Sequence, residues 1–375
     1  MNLYILDPNY NRVGICDNYK SLIWTPRYFE PGDFELYAPA SEELLVLLSR
    51  DNMLQREEDP THAMLIESVE IQTNAEDGDY IIARGRCLKS ILGRRIIWSQ
   101  TSLSGTVAGG ISRLLSENLI SPADTARRID GFTIGTMSGG TESMSAQYTG
   151  DNLLEVVVEI CRTYGLGFDV KLGTGRTLVF ELYQGTDHSY AQSTAPRVTF
   201  SPEFDNLVDS TYIEDGREFR NVAKVVGEGE GSERRFVTAG DLDASGMDRY
   251  ELFVDARDVS SNDGEIEPEA YDGMLVERGA NDLQERAATV SFDGSVQIGR
   301  NYKLGVDYNL GDIVEVINDY GVEGRARITE IIECIDENGD HIIPTFESIY
   351  TDREYWVDEE GNYFVDELSQ KFIFK

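Results

Sequence analysis

Residues 21–39 read SLIWTPRYFEPGDFELYAP, and this stretch decides how the chain begins to fold. Two apolar, strand-like pieces, Ser21–Trp24 and Phe34–Ala38, flank a loop that ends in a Pro-Gly turn. The loop places a basic residue directly beside two aromatic ones: Arg27, Tyr28 and Phe29. Such a cluster is typical of a ligand platform, of the corner of a sheet, or of a patch that another protein covers.

The sequence around this hairpin continues as short antiparallel strands. Apolar and polar residues alternate along 65–72, as in a half-buried strand, and a turn at 76–79 leads into Tyr80–Leu88. The segment Ser41–Leu48 differs, because its leucines and its initial serine are typical of a short capped helix. We therefore expect residues 1–98 to form a first β-barrel-like domain.

Helical periodicity appears beyond residue 98. Ser104 is expected to cap a helix whose apolar positions lie within 107–115, and a second amphipathic helix is predicted for 153–164. The stretch 131–149 is rich in Gly, Ser, Thr and Met, which favours an exposed loop. These patterns predict an α/β domain over residues 99–196.

Strand signals resume at residue 197. Residues 197–227 and 292–350 predict a second β-barrel-like domain, interrupted at 228–291 by an acidic, Gly-rich insertion with one helix, Pro268–Ala287. Residues 351–375 predict a C-terminal hairpin. The fold class is therefore α+β and mostly β, with two barrel-like domains, an inserted α/β domain and a second, irregular insertion. The two β stretches show no sequence repeat, so any duplication between them is structural.

The net charge is the clearest compositional signal. Among 375 residues, 33 basic and 68 acidic side chains give a charge of −35. A field of that sign repels phosphate, which argues against nucleic-acid binding. The charge either keeps a β-rich protein in solution or lets DNA pass without sticking. No apolar run approaches the roughly 20 residues that span a bilayer, so we expect no membrane insertion.

The motifs of catalysis and metal binding are missing from the sequence. The three histidines, His62, His188 and His341, have no nucleophile motif nearby, and neither HExxH nor CxxC occurs. The run 336–340 resembles a calcium loop but lacks its spacing, and it is better explained as a hairpin turn. We therefore expect no catalytic residue, no cofactor and no metal.

The four cysteines, Cys16, Cys87, Cys161 and Cys334, are widely separated. This spacing predicts free thiols rather than a disulfide framework, and hence intracellular assembly.

Several segments in a fixed order resemble one known family, that of the Siphovirus tail hub, or tail-tip baseplate hub, proteins. The resemblance begins in the opening hairpin, with its Trp, Arg-Tyr and Pro-Gly-Asp-Phe-Glu-Leu elements, and covers about residues 1–350, thinly in 228–291. Its later segments are Gly85–Ile97, Tyr302–Leu304, Leu310–Val314 and Ala326–Glu330. These proteins are similar to the central hub of contractile-tail baseplates.

The resemblance implies a structural protein of the virion tail tip, assembled in the host bacterial cytoplasm. It implies two tube domains per subunit, a homotrimer with a pseudo-sixfold ring, and a channel that DNA crosses without specific binding. The implied partners are the distal tail protein, the tape-measure protein and receptor-binding or tail-fibre proteins. Two alternatives stay open: a tail-associated carbohydrate-binding or cell-wall-degrading protein, and a β-rich domain of a secretion-like injection machine.

The opening stretch then becomes a candidate assembly contact instead of a ligand platform. Its aromatic side chains face either their own core or a neighbouring subunit, and we expect the neighbour. The residues predicted to lie at this subunit interface are Trp24, Arg27, Tyr28, Phe29 and Phe34.

Overall fold

A computed structural model describes the chain from residue 1 to residue 348, with short gaps. The residues left out are 74–77, 232–233, 263, 288, 297–301, 319, 321–322, 338 and 349–375. The predicted C-terminal hairpin at 351–375 therefore lies outside the described residues.

The first β unit contains seven strands and one short helix. They are β1 (Leu3–Leu6), β2 (Arg12–Cys16), β3 (Ser21–Thr25), β4 (Asp33–Pro39), α1 (Glu42–Leu47), β5 (Met53–Arg56), β6 (Ala63–Gln72) and β7 (Tyr80–Cys87). The predicted short helix is confirmed, and the Ser41 side chain accepts a hydrogen bond from the Leu44 N–H at 3.1 Å. Alternate residues of β4, Phe34, Leu36 and Ala38, are buried, as the sequence pattern requires.

The α/β unit follows a 3-10 helix, Leu88–Arg94. Its elements are β8 (Thr101–Thr106), α2 (Val107–Leu115), β9 (Phe132–Met137), β10 (Ser143–Tyr148), α3 (Leu153–Thr163), β11 (Gly167–Leu172) and β12 (Leu178–Tyr183). The second predicted helix is confirmed as α3, whose cap is the Asn152 side chain.

Two expectations for this unit are wrong. Thr106, not Ser104, caps α2, because Ser104 lies within β8 opposite Ser145 of β10. The stretch 131–149 is not an exposed loop: β9 pairs with β12, and β10 pairs with β8. The buried side chains of Phe132 and Tyr148 hold these strands on the core, and this burial outweighs the local turn propensity.

The remaining chain contains the second β unit and the insertion that interrupts it. Their elements are β13 (Thr199–Phe200), β14 (Leu207–Asp215), β15 (Val222–Val226), β16 (Phe236–Gly240), β17 (Glu251–Asp255), α4 (Pro268–Glu285), β18 (Thr289–Val296), β19 (Ile313–Ile317), β20 (Glu323–Asp336) and β21 (Gly339–Ser348). One strand differs from the expectation. β15 lies between β16 and β17 in a separate three-stranded sheet that α4 covers, so it pairs within the insertion and not with the second β unit.

The two β units share one strand order. The first contains β3-β4-β7-β6-β5, and the second contains β14-β18-β21-β20-β19, with the same chain order and antiparallel pairing throughout. Even a register shift recurs: it lies between Ile66 and Ser68 in β6 and between Ile328 and Glu330 in β20. The chain is thus structurally duplicated. The insertion occupies the position that the loop between β3 and β4 occupies in the first unit.

The two units join edge to edge. Residues Glu333–Ile335 of β20 pair with Leu22–Trp24 of β3, and this pairing creates one 13-stranded sheet. The mostly-β fold class is confirmed, but the strand pairings among the described residues close no barrel. The sheet runs from β14 at one end to β2 at the other, and these two strands do not pair. Within the same part of the chain, no helix has the length and hydrophobicity needed to cross a bilayer.

Candidate functional site

The loop between β3 and β4 lies where the two β units and the α/β unit meet. It extends the pairing of β3 with β20, because the Tyr28 N–H donates to the Thr329 carbonyl at 2.8 Å and the Ile331 N–H donates to the Pro26 carbonyl at 3.1 Å. The loop is therefore fixed by backbone hydrogen bonds to a strand about 300 residues away in sequence.

Tyr28 is fully buried in this junction. Its hydroxyl lies 3.1 Å from the Gly165 carbonyl oxygen and accepts a hydrogen bond from the Gly185 N–H at 3.3 Å. The aromatic ring needs two glycines beside it, since a Cβ atom added at Gly167 or Gly311 would come within 2.2 Å or 2.1 Å of a ring carbon. One phenol side chain thus contacts both neighbouring units.

Two cations hold the loop from either side. The Lys89 ammonium is buried and donates to the carbonyls of Arg27 at 2.6 Å, Tyr28 at 3.2 Å and Glu30 at 3.3 Å. The Arg27 guanidinium pairs with Asp33 at 2.7 Å and also with Glu330 of β20. These donors are already occupied by the chain's own carbonyls and carboxylates.

The structure places the predicted interface residues as follows. Arg27 is half-buried, and the four aromatic side chains are 0–7% exposed: Trp24, Tyr28, Phe29 and Phe34. Because burying such side chains removes a large apolar area from water, they face their own core and stabilise the fold. The segment is the corner of a sheet. A subunit contact on the surface around it stays a prediction.

A cavity of about 300 Å³ lies beneath this corner. His62 lies in its wall, with Nδ1 2.7 Å from Asp59 Oδ2 and Nε2 2.7 Å from Asp169 Oδ2. Burial lowers the pKa of His62, but the hydrogen bonds and charges of Asp169 and Asp59 outweigh it and raise that pKa to about 9. His62 is therefore an imidazolium at neutral pH and connects the start of β6 to β11.

This arrangement leaves the imidazole ring no free nitrogen. An imidazolium that donates from both nitrogens has no lone pair for a metal or for general-base catalysis. Among the described residues, no three His, Cys, Asp or Glu side chains form a group suited to a metal ion. Asp59 lies three residues before His62 in the sequence. Asp169 and Lys89 could not be predicted, because only the fold brings those side chains to the junction.

The Siphovirus ReqiPepy6 Gp37-like protein family matches residues 2–346. The chain belongs to this family. The resemblance to siphovirus tail proteins that the sequence suggested is thereby confirmed. No curated protein sequence matches the chain.

Solved structures share the fold at low sequence identity. A tail protein from Neisseria meningitidis MC58 is 12% identical with a TM-score of 0.56, over 92% of this chain and 96% of that one. The 43 kDa tail protein of prophage MuSo2 from Shewanella oneidensis is 12% identical, with a TM-score of 0.54 over 92% and 97%. Prophage tail protein gp18 from Listeria monocytogenes EGD-e is 13% identical, with a TM-score of 0.53 over 92% and 94%. The chain therefore has the fold of these tail proteins.

Proposed function

We propose that the chain is a non-enzymatic hub of a phage tail tip, where three copies form a ring that continues the tail tube. The observation that carries this proposal is the duplicated β unit. Three chains with two similar units each present six such units, which matches the sixfold order that the resemblance implies for the tail tube. A trimer can thus adapt a sixfold tube to a threefold tip.

The proposed partners follow from this position. On one side the ring docks on the distal tail protein, and along its axis it contacts the tape-measure protein. Receptor-binding or tail-fibre proteins attach at the tip. The family membership and the tail-protein fold support such partners in general terms, and the proposed location is the virion tail tip after assembly in the host cytoplasm.

The charge supports a channel function. A net charge of −35 per chain gives a ring that repels the phosphates of DNA, so the ring lines or gates the channel without holding the passing strand. The occupied nitrogens of His62 support the absence of catalysis at the junction.

Mass measurement in solution tests the hub. Sedimentation velocity of the purified chain over a range of concentrations is expected to show a species of three times the 42.0 kDa chain mass. Negative-stain electron microscopy of that species is expected to show a ring with six lobes. A chain that stays monomeric at all concentrations, also with its tail partners present, would contradict the proposal.

A further inference from the structure

Among the described residues, strand β6 has an unpaired edge that its counterpart in the second unit, β20, does not have. β6 pairs with β7 along its length, but with β5 only at Ala63–Leu65. In the second unit, β20 pairs with β19 at Glu323–Arg327 and then with β3 at Glu333–Ile335. The C-terminal half of β6 therefore presents an edge of the kind that β20 uses to join the two units.

Strand β14 is the counterpart of β3. Each is the first strand in the shared order, next to β4 or β18. β3 is covered by β20, whereas β14 is an outermost strand of the 13-stranded sheet in the part of the chain that the structure describes. A strand at such an edge presents backbone groups that pair readily with another chain.

We infer that the C-terminal half of β6 in one copy pairs antiparallel with β14 of the next copy, as β20 pairs with β3 within the chain. The partner is a second copy because β6 and β14 are the same two positions of the duplicated unit that already join once. This inference rests on the proposed ring and identifies the strands that close it.

The register on β6 follows from the shared bulge. Ile66 corresponds to Ile328, and the bulge after each keeps the later residues in step. Counting onward, Ile71 corresponds to Glu333, which lies opposite Trp24 within the chain. Gln72 corresponds to Cys334 in the same way.

The register on β14 follows from its neighbours. Trp24 lies opposite Phe34, and Phe34 lies opposite Gly85 of β7. Tyr212 lies opposite Phe292, and Phe292 lies opposite Phe346 of β21 in the matching positions. Tyr212 thus corresponds to Trp24.

The two registers together place Ile71 of one copy opposite Tyr212 of the next, and Gln72 opposite Thr211. Ile71 is 48% exposed and Tyr212 is 38% exposed, so pairing would cover two large side chains that the single chain leaves partly in water.

The charges favour this register over its neighbour. Glu70 falls opposite Ile213, and Glu214 falls opposite Val69, so no two acids face each other. A slip by one residue would bring Glu70 against Glu214, a like-charge pair that destabilises a sheet. In a chain this acidic, a stretch that avoids acid-acid contacts on both strands is a favourable site for self-pairing.

The contact is heterologous, since it joins two different strands of identical copies. Such contacts form a closed ring when the rotation between copies closes. In the trimer, the internal pairing of β20 with β3 would alternate with the external pairing of β6 with β14, which gives six sheet junctions around the ring.

A disulfide tests the register directly. Ile331 and Pro26 form a hydrogen-bonded pair of this antiparallel ladder. Hydrogen-bonded and non-hydrogen-bonded pairs alternate along such a ladder, so Cys334–Ile23, three positions further along, is a non-hydrogen-bonded pair. The equivalent pair between copies is Gln72 with Thr211. Opposed residues in such pairs lie about 4.5 Å apart at Cα, a distance that a disulfide spans.

In the full chain, Gln72→Cys with Thr211→Cys is expected to give covalent trimers on mild oxidation, seen on a non-reducing gel. Each single variant controls for the native cysteines. The matched control is Gln72→Cys with Tyr212→Cys, because a shift of one residue directs the two thiols to opposite faces of the sheet. That control is expected to give less than about a tenth of the cross-linked product.

A second variant measures the contact without a cross-link. Ile71→Lys is expected to weaken trimer formation at least about tenfold in sedimentation, because it leaves a charge in a covered sheet edge. Ile15→Lys, at an isoleucine that is 52% exposed on β2, is expected to leave the trimer unchanged. Circular dichroism confirms that both variants are folded.

The outcomes separate the two proposals. A trimer that forms but does not cross-link at Gln72 and Thr211 overturns this contact and leaves the hub standing. Covalent dimers without trimers overturn it as well, because they indicate an isologous contact. A chain that never assembles overturns both the contact and the hub.

Discussion

Tyr28 shows how much of this fold depends on a single hydroxyl. It is fully buried and bonded to backbone groups at Gly165 and Gly185. We expect Tyr28→Phe to lower the free energy of unfolding by about 1–2 kcal/mol, because a partly buried N–H and a partly buried carbonyl lose their partner. Urea unfolding followed by fluorescence measures the change.

Tyr320→Phe is the matched control, since Tyr320 is 92% exposed, and it should change the free energy of unfolding by less than about 0.5 kcal/mol. If Tyr28→Phe were as silent as the control while trimer formation weakened, Tyr28 would contact a neighbour instead of its own core.

The sequence could predict the residues of this corner but not their surroundings. Trp24 and Phe34 follow the apolar–polar alternation of two strands. A sheet corner was one of the three interpretations of the loop between them. The glycines that admit the aromatic ring of Tyr28 are Gly167 and Gly311, each more than 130 residues away. Local pattern contains no information on such partners, which is why burial in the chain's own core was not the preferred expectation.

At the scale of elements, the His62 contacts connect β6 to β11 of the α/β unit. The pKa of His62 is raised to about 9, so its contribution to stability is complete below the unfolded pKa near 6.5 and is lost as pH rises through about 9. We expect His62→Gln to lower the free energy of unfolding by about 1 kcal/mol at pH 7. Urea titrations between these two pH values are also expected to show a flatter pH dependence than those of the unchanged chain.

The exposed His341 offers the control. His341→Gln should keep the slope of the original pH profile, because this side chain is exposed to solvent and is not held between two units. Equal slopes for the original chain and His62→Gln would show that the imidazolium does not hold the two units together.

Elements with strong periodicity were predictable, and elements defined by their neighbours were not. Helix α3 follows from its apolar spacing, and α1 from Ser41 and its leucines. Strands β9 and β10 lie in a Gly- and Ser-rich stretch whose local signal favours a loop, and they are strands only because β12 and β8 pair with them. The sequence likewise predicts that β15 belongs to the second β unit, and only its pairing with β16 and β17 shows that it belongs to the insertion.

At the scale of the whole molecule, the duplication could be suspected from the alternation of β and α/β stretches, yet no sequence repeat revealed it. The shared strand order and the recurring bulge are properties of pairing, and different side chains can satisfy the same pairing. The barrel-like form expected for each unit is not confirmed among the described residues. The β20–β3 junction joins the units into one open sheet, and residue patterns do not encode which edges meet.

The charge of the whole chain predicts how assembly responds to salt. Three copies at −35 each repel one another, while the proposed contact between β6 and β14 consists of backbone hydrogen bonds and apolar side chains that salt does not screen. Raising NaCl from about 30 mM to about 300 mM is therefore expected to strengthen trimer formation by roughly three- to tenfold, measured by sedimentation equilibrium. Sucrose at matched osmolality is the control and should have a smaller effect. A trimer that weakens as salt rises would mean that ion pairs, and not a paired sheet edge, hold the copies together.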